Sequence, residues 1–218
     1  MKEHPIYLSQ REVQHIIEAC WVSGKEARFQ FRRPFHEQPP EDWFPHEAGL
    51  ICKVVNGEVD VEKPIGLGIS DIEGRGFVSP FGGAGDVLWG KEVFAVMGDE
   101  EKAAIDYQAD YPWQTAEHYG YKLATSMPRW ASRITLKVLS VTACRLHDMT
   151  TEDCIVEGFS TTLREHDAEC HLREQAFEDW DSRFGAVSRL RSERNPWTWV
   201  AEAERMTQVG ARGAKFWI

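Results

Sequence analysis

The spacing of apolar positions opens with a short strand signal, Pro5-Ile6-Tyr7-Leu8, and then the strongest helix signal in the chain. Ser9 is placed to cap, Glu12 stands three residues later to complete a capping box, and Val13, Ile16, Ile17 and Cys20 recur at helical spacing. This predicts a helix over 10–21, stopped at Ser23-Gly24. A basic turn runs on to Arg33. From 34 to 86 the texture is rich in proline and glycine, with one hairpin signal: Leu50–Val55 and Glu58–Glu62 on either side of Asn56-Gly57.

Further strands are predicted at Val87–Val96, Ala104–Gln108, Ile134–Thr142 and Pro196–Glu204, with a loop over 109–126. In the third, Ile134, Leu136 and Val138 alternate with Thr135 and Lys137 before Leu139 and Val141 break the register. In the last, Trp197, Trp199, Ala201 and Ala203 fall on one side. A short helix is predicted over Asp148–Gly158, capped by Thr150 with Asp153 three residues on and stopped by Gly158. Residues 160–195 carry eight acidic and six arginine side chains, and Leu172, Ala176, Phe177 and Trp180 give that segment one packed helical face.

Strands far apart in sequence with few helices suit a small barrel better than a βαβ array. The chain has 218 residues, of which 42% are hydrophobic and 28% charged, enough to bury a core without a disulfide or metal staple. Five scattered cysteines without a CxxC pair read as reduced thiols. No apolar run reaches the ~20 residues of a membrane span, and Lys2-Glu3-His4-Pro5 is not followed by a signal-peptide stretch. A cytoplasmic protein without a membrane partner is expected.

The formal charge of −10 excludes attachment to a polyanion through the global field, so any nucleic-acid contact needs a local basic patch. Nine tryptophans point to a packed barrel or to a stacking surface. Gly66-Leu67-Gly68 and Gly82-Gly83-Ala84-Gly85 lack the strand-before, helix-after setting of a phosphate cradle. His166, Cys170 and His171, or Cys144 and His147 with Cys154, do not reach a tetrahedral set. Neither a metal nor a cofactor is expected.

Four segments carry a family resemblance: Ile6-Tyr7-Leu8-Ser9 with its helix and the Gly24–Arg33 turn; Gly85-Asp86-Val87-Leu88-Trp89-Gly90-Lys91-Glu92; Met127-Pro128-Arg129-Trp130-Ala131-Ser132-Arg133-Ile134-Thr135-Leu136; and Asn195-Pro196-Trp197-Thr198-Trp199-Val200. In this order, and together with Leu146–Gly158, they resemble the ASCH domains of the PUA-like superfamily, in particular phage-encoded members. The resemblance implies an α+β fold, a small mixed PUA-like β-barrel with a few flanking helices. The expected layout is one domain over 1–206, with an insertion at about 34–84, a helical elaboration at about 160–195 and a tail over 207–218.

PUA-like barrels bind RNA or modified nucleobases in a cleft beside the barrel. The resemblance therefore implies RNA or a modified nucleotide as partner, held by Arg28, Arg32, Arg33, Lys91, Glu92, Arg129 and Arg133, with Trp130 or Phe31 as stacking face. One ASCH branch deacetylates N4-acetylcytidine with a Lys, a Thr and a Glu. Glu157 matches the Glu, which makes a hydrolase the first alternative. Where that branch writes Gly-Arg-Lys-Thr-x-Thr-x-Arg, this chain has Gly24-Lys25-Glu26-Ala27-Arg28-Phe29-Gln30-Phe31-Arg32-Arg33. The Lys place falls on Arg28 or Glu26, and the hydroxyl place on Phe31 or Phe29. A guanidinium stays protonated and phenylalanine has no nucleophilic atom. The second alternative is an acidic phage factor that binds a host defence protein or nuclease. The competing structural reading makes Trp130 a core plug, pairs Arg129 and Arg133 with Glu92 or Glu157, and makes Lys91-Glu92 an ion pair.

Overall fold

A computed structural model of the chain describes residues 1–23, 27–35, 38, 43–45, 51–55, 58–59, 79–97, 104–111, 113, 120–163 and 165–206. The fold is α+β. In chain order the elements are β1 (Glu3–Tyr7), α1 (Gln10–Ser23), β2 (Arg28–Pro34), β3 (Trp43–Pro45), β4 (Ile51–Val55), β5 (Glu58–Val59), β6 (Val87–Lys91), β7 (Phe94–Met97), β8 (Ala104–Tyr107), β9 (Thr135–Arg145), α2 (Thr151–Val156), α3 (Glu165–Phe184) and β10 (Trp197–Arg205). A five-stranded mixed sheet has the order β1-β6-β9-β10-β2; the remaining strands form a three-stranded β3-β4-β5 sheet and the β7-β8 pair. Among the described residues no ladder closes the five strands into a barrel.

Two compact units are formed, one by the described residues within Met1–Ala27, Asp86–Lys137 and Glu204–Ile218, the other by those within Arg28–Gly85 and Val138–Ala203. In the first, β1 runs parallel to β6, from Glu3↔Val87 to Tyr7↔Lys91, and β6 runs antiparallel to the start of β9. Ile6, Leu8, Leu88, Ile134 and Leu136 form its buried face, and Val13 and Ile16 bury one side of α1. The capping box expected at Ser9 is present: Ser9 Oγ accepts from Glu12 N at 3.3 Å and Glu12 Oε2 accepts from Ser9 N at 2.7 Å. Phe94, Met127 and Ala131 make a second small core, flanked by Val96, Ile105 and Tyr107.

Instead of one strand, the Val87–Val96 run forms two, broken at Glu92-Val93. The reason lies in Glu92, which is buried and turned inward to a cation, so the alternation cannot continue through it.

In the second unit the basic segment is a strand, β2, where a turn was expected. Phe29 and Phe31 alternate with Gln30 and Arg32, and all four are buried, because the polar face of the strand has its own partners. Phe35 stacks on Trp199 with ring centroids 4.1 Å apart and planes at 9°. Along β10, Thr198 and Val200 are buried as well as the expected face. The α2 cap forms as read, with Thr150 Oγ1 accepting from Asp153 N at 3.1 Å, and Gly158 follows at φ 91°, a left-handed position that suits glycine. Met149, Cys154, Phe159, Leu172 and Ala176 pack α2 against α3. β4 and β5 pair antiparallel, while Asn56-Gly57, Gly66-Leu67-Gly68, most of 34–78, Asp99-Glu100-Glu101 and the tail over 207–218 lie outside the described residues.

Candidate functional site

The expected site residues divide between the units: Lys91, Glu92, Arg129, Trp130 and Arg133 belong to the first, Arg28, Arg32, Arg33 and Glu157 to the second. In the first unit, Pro128 leads the chain into a single 3-10 turn, Arg129–Ala131. Ser132 Oγ then donates to the Gly90 carbonyl at 2.7 Å and fixes the next residue against the β6–β7 break. Arg133 grips Glu92 with both arms of its fork, Nε to Oε1 at 2.9 Å and Nη2 to Oε2 at 2.8 Å, while Nη1 reaches Asp110 Oδ2 at 2.8 Å. Its guanidinium carbon lies 3.9 Å from the Tyr107 ring centroid.

Burial raises the Glu92 carboxyl above its ordinary value, only partly offset by Arg133. Burial alone would lower Arg133, but Glu92 and Asp110 outweigh it and the net shift is upward. Burial also pushes the Tyr107 phenol up to about 12, and its hydroxyl donates to the Ala131 carbonyl at 2.9 Å. Arg133 and Glu92 thus form a closed structural pair that offers little to a ligand.

The outward face of the same sheet is different. Alternation along β1 and β6 puts Tyr7, Trp89 and Lys91 on one side, opposite Ile6, Leu88 and Gly90. The Lys91 ammonium sits 5.3 Å from the Tyr7 ring centroid and 5.4 Å from that of Trp89, and donates to the Thr125 carbonyl at 2.7 Å. Arg129 lies 5.8 Å from the Trp89 ring and bonds Glu3 at 2.9 Å. That hydrogen bond from Arg129 holds the Glu3 carboxyl below its ordinary 4.5. Trp130 is 66% exposed and Tyr7 50% exposed, so neither ring is a core plug. Two cations thus meet two rings here, the Lys91 side chain largely buried and Arg129 more open, with the exposed Trp130 next to Arg129 in the chain.

In the second unit Arg28 is exposed, and Arg33 donates through Nη1 to the Arg32 carbonyl at 2.8 Å. Arg32 is 4% exposed, and its Nε meets Glu157 Oε1 at 3.1 Å, while Nη1 reaches Cys144 Sγ at 2.9 Å and Thr198 Oγ1 at 3.4 Å. Gln30 Nε2 donates to Asp153 Oδ1 at 3.0 Å and to Glu157 Oε1 at 3.3 Å. Burial alone would lower Arg32, yet the charges around it, Glu157 foremost, leave it raised. Burial and then Glu157 push the Cys154 thiol up to about 11. Glu157 is thus a buried strut between β2 and α2, held by an arginine and an amide.

Tyr7, Trp89, Gln30, Thr198, Asp110 and Tyr107 are neighbours that motif reading did not single out, and Cys144, weighed only as a metal ligand, instead meets Arg32. For Tyr7 and Trp89 the signal is their placement on one strand face with Lys91; for Gln30 it is the Phe-Gln-Phe-Arg alternation. Compared with family models, curated proteins and solved structures, the chain matches none.

Proposed function

We propose that the protein is a cytoplasmic, ASCH-type PUA-like β-barrel module that binds single-stranded RNA or a modified nucleotide. The surface used is that of Tyr7, Trp89, Lys91, Arg129 and Trp130. The observation that carries this reading is the pair of cations, Lys91 on β6 and Arg129 on a later turn, set against the Tyr7 and Trp89 rings in a chain whose net charge is −10. A base stacked on an aromatic ring contributes ~1–3 kcal/mol, so two stacked bases with one phosphate contact support binding in roughly the millimolar to micromolar range. Single strands suit the site because the rings need unpaired bases, and few phosphates need neutralising.

The hydrolytic alternative keeps Glu157 alone. Its carboxylate is engaged by Arg32 and Gln30, and a guanidinium beside it takes no proton from a nucleophile.

Titrating the protein with short single-stranded RNAs and a panel of modified nucleosides, read by tryptophan fluorescence, tests the proposal. Saturable quenching that weakens at least tenfold in Trp130→Ala or Arg129→Ala is expected. Equal affinity in both variants, or no saturation with any probe, overturns it.

A further inference from the structure

A second feature lies in the other unit and is independent of the nucleotide reading. Between α2 and α3 a groove of about 480 Å³ opens to solvent, within the ~300–1,000 Å³ of ligand-binding sites. Ile155, Phe159 and Leu172 give it an apolar floor, and Glu152 on α2 and Glu169 on α3 stand at its rim. Ile155 is 53% exposed although it belongs to the helix whose buried side packs on α3, so α2 presents a hydrophobic side chain outward as well as inward. Leu163, between the two helices in sequence, is 49% exposed.

Among the described residues the charge around the groove is one-sided. α3 carries seven acidic residues against two arginines, and the first turn of α2 is acidic with no basic residue in its last turn. Neither arginine neutralises the rim: Arg183 pairs with Asp179 at 3.2 Å, and Arg173 donates to the His147 carbonyl at 3.0 Å. Among the described residues Glu152 and Glu169 have no ion-pair partner.

We infer that this groove docks a cationic amphipathic peptide segment of a partner protein. Its leucine-like side chains enter over Ile155, Phe159 and Leu172, and its Lys or Arg side chains meet Glu152 and Glu169. An apolar trough with acidic walls selects an amphipathic helix that is basic on its solvent face, the familiar helix-in-groove mode. Nucleic acid and anionic membranes, being polyanions, are repelled by the same walls.

The test uses the full chain and three labelled peptides: a Leu/Lys amphipathic helix, a scramble of identical composition, and the same helix with Glu for each Lys. Anisotropy at physiological salt is expected to show the Leu/Lys helix binding at least tenfold tighter than its scramble. Ile155→Asp is expected to remove that preference. The double variant Glu152→Lys, Glu169→Lys is expected to reject the Leu/Lys helix and accept the Leu/Glu one. On the unaltered protein, amide and methyl NMR shifts provoked by the peptide are expected at Ile155, Phe159 and Leu172, which keeps the test decisive if a variant misfolds. Equal binding of the scramble, unchanged affinity in Ile155→Asp, shifts spread along α3 away from the groove, or no saturable binding overturns the inference.

Discussion

Replacing Arg133 with methionine removes the fork that holds Glu92, a carboxylate 3% exposed and bonded at 2.9 and 2.8 Å. Breaking a buried pair from one side leaves an uncompensated charge, and such losses run about 3–5 kcal/mol, a large part of the ~5–15 kcal/mol that stabilises a typical domain. The loss has a pH signature. Even beside Arg133 the folded-state pKa of Glu92 lies above its ordinary 4.5, with burial as the main cause. The folded protein therefore binds that proton more readily than the unfolded chain, and stability falls as pH rises through the window between the two values.

Without Arg133 the folded pKa rises further and the window widens. Urea unfolding of Arg133→Met is expected to show the full loss at neutral pH and a smaller one at acidic pH, where a larger share of Glu92 is protonated. Adding Glu92→Gln to Arg133→Met is expected to recover part of the neutral-pH loss. A loss below about 1 kcal/mol at neutral pH, the level of exposed pairs, refutes the reasoning, as does a loss that does not vary with pH.

Other expectations follow from the same geometry. Thr150→Ala removes the α2 cap and is expected to lower stability by about 1 kcal/mol in chemical denaturation. Gly90→Ala places a Cβ 2.6 Å from Leu8 Cδ1 and 3.1 Å from Ile134 Cβ, and an overpacking loss of about 1–3 kcal/mol is expected in the same measurement. Arg32→Met takes the guanidinium away from the buried Glu157; thermal unfolding is expected to show a larger loss than for Arg28→Met, whose side chain is exposed. Alkylation at mildly alkaline pH followed by mass spectrometry is expected to label the exposed Cys170 quickly and to spare the buried Cys154, whose thiol is held near 11.

The parts of the fold governed by local chemistry were legible in the chain. Ser9 with Glu12, Thr150 with Asp153, and Gly158 mark helix boundaries through hydrogen bonds that span three or four residues, and the structure places α1 and α2 there. Where long-range pairing decides, local reading stops short. Pairing of Arg133 with Glu92 was among the structural readings of the chain and is found, but that the pair is buried and breaks the strand at Glu92 depends on packing from distant segments. Arg28 to Arg33 looks like a basic turn because its charges suggest solvent, whereas Arg32 is satisfied by Glu157 and Cys144 from distant segments.

The candidate site was legible to the same extent. Arg129 and Trp130 stand out as a motif, but Tyr7 and Trp89 join them only through the parallel β1–β6 register, which no local pattern specifies. The alternation of β10 predicted one buried face, and Thr198 is buried on the other because it belongs to the Arg32 cluster.

The nucleotide-binding account meets its most direct test in ultraviolet cross-linking of the full chain to short single-stranded RNA, with the attached peptides located by mass spectrometry. The account predicts attachment at Tyr7, Trp89 or Trp130, diminished by rising salt and by Arg129→Ala. Attachment confined to residues 138–203, or none where a known RNA-binding control cross-links, contradicts it.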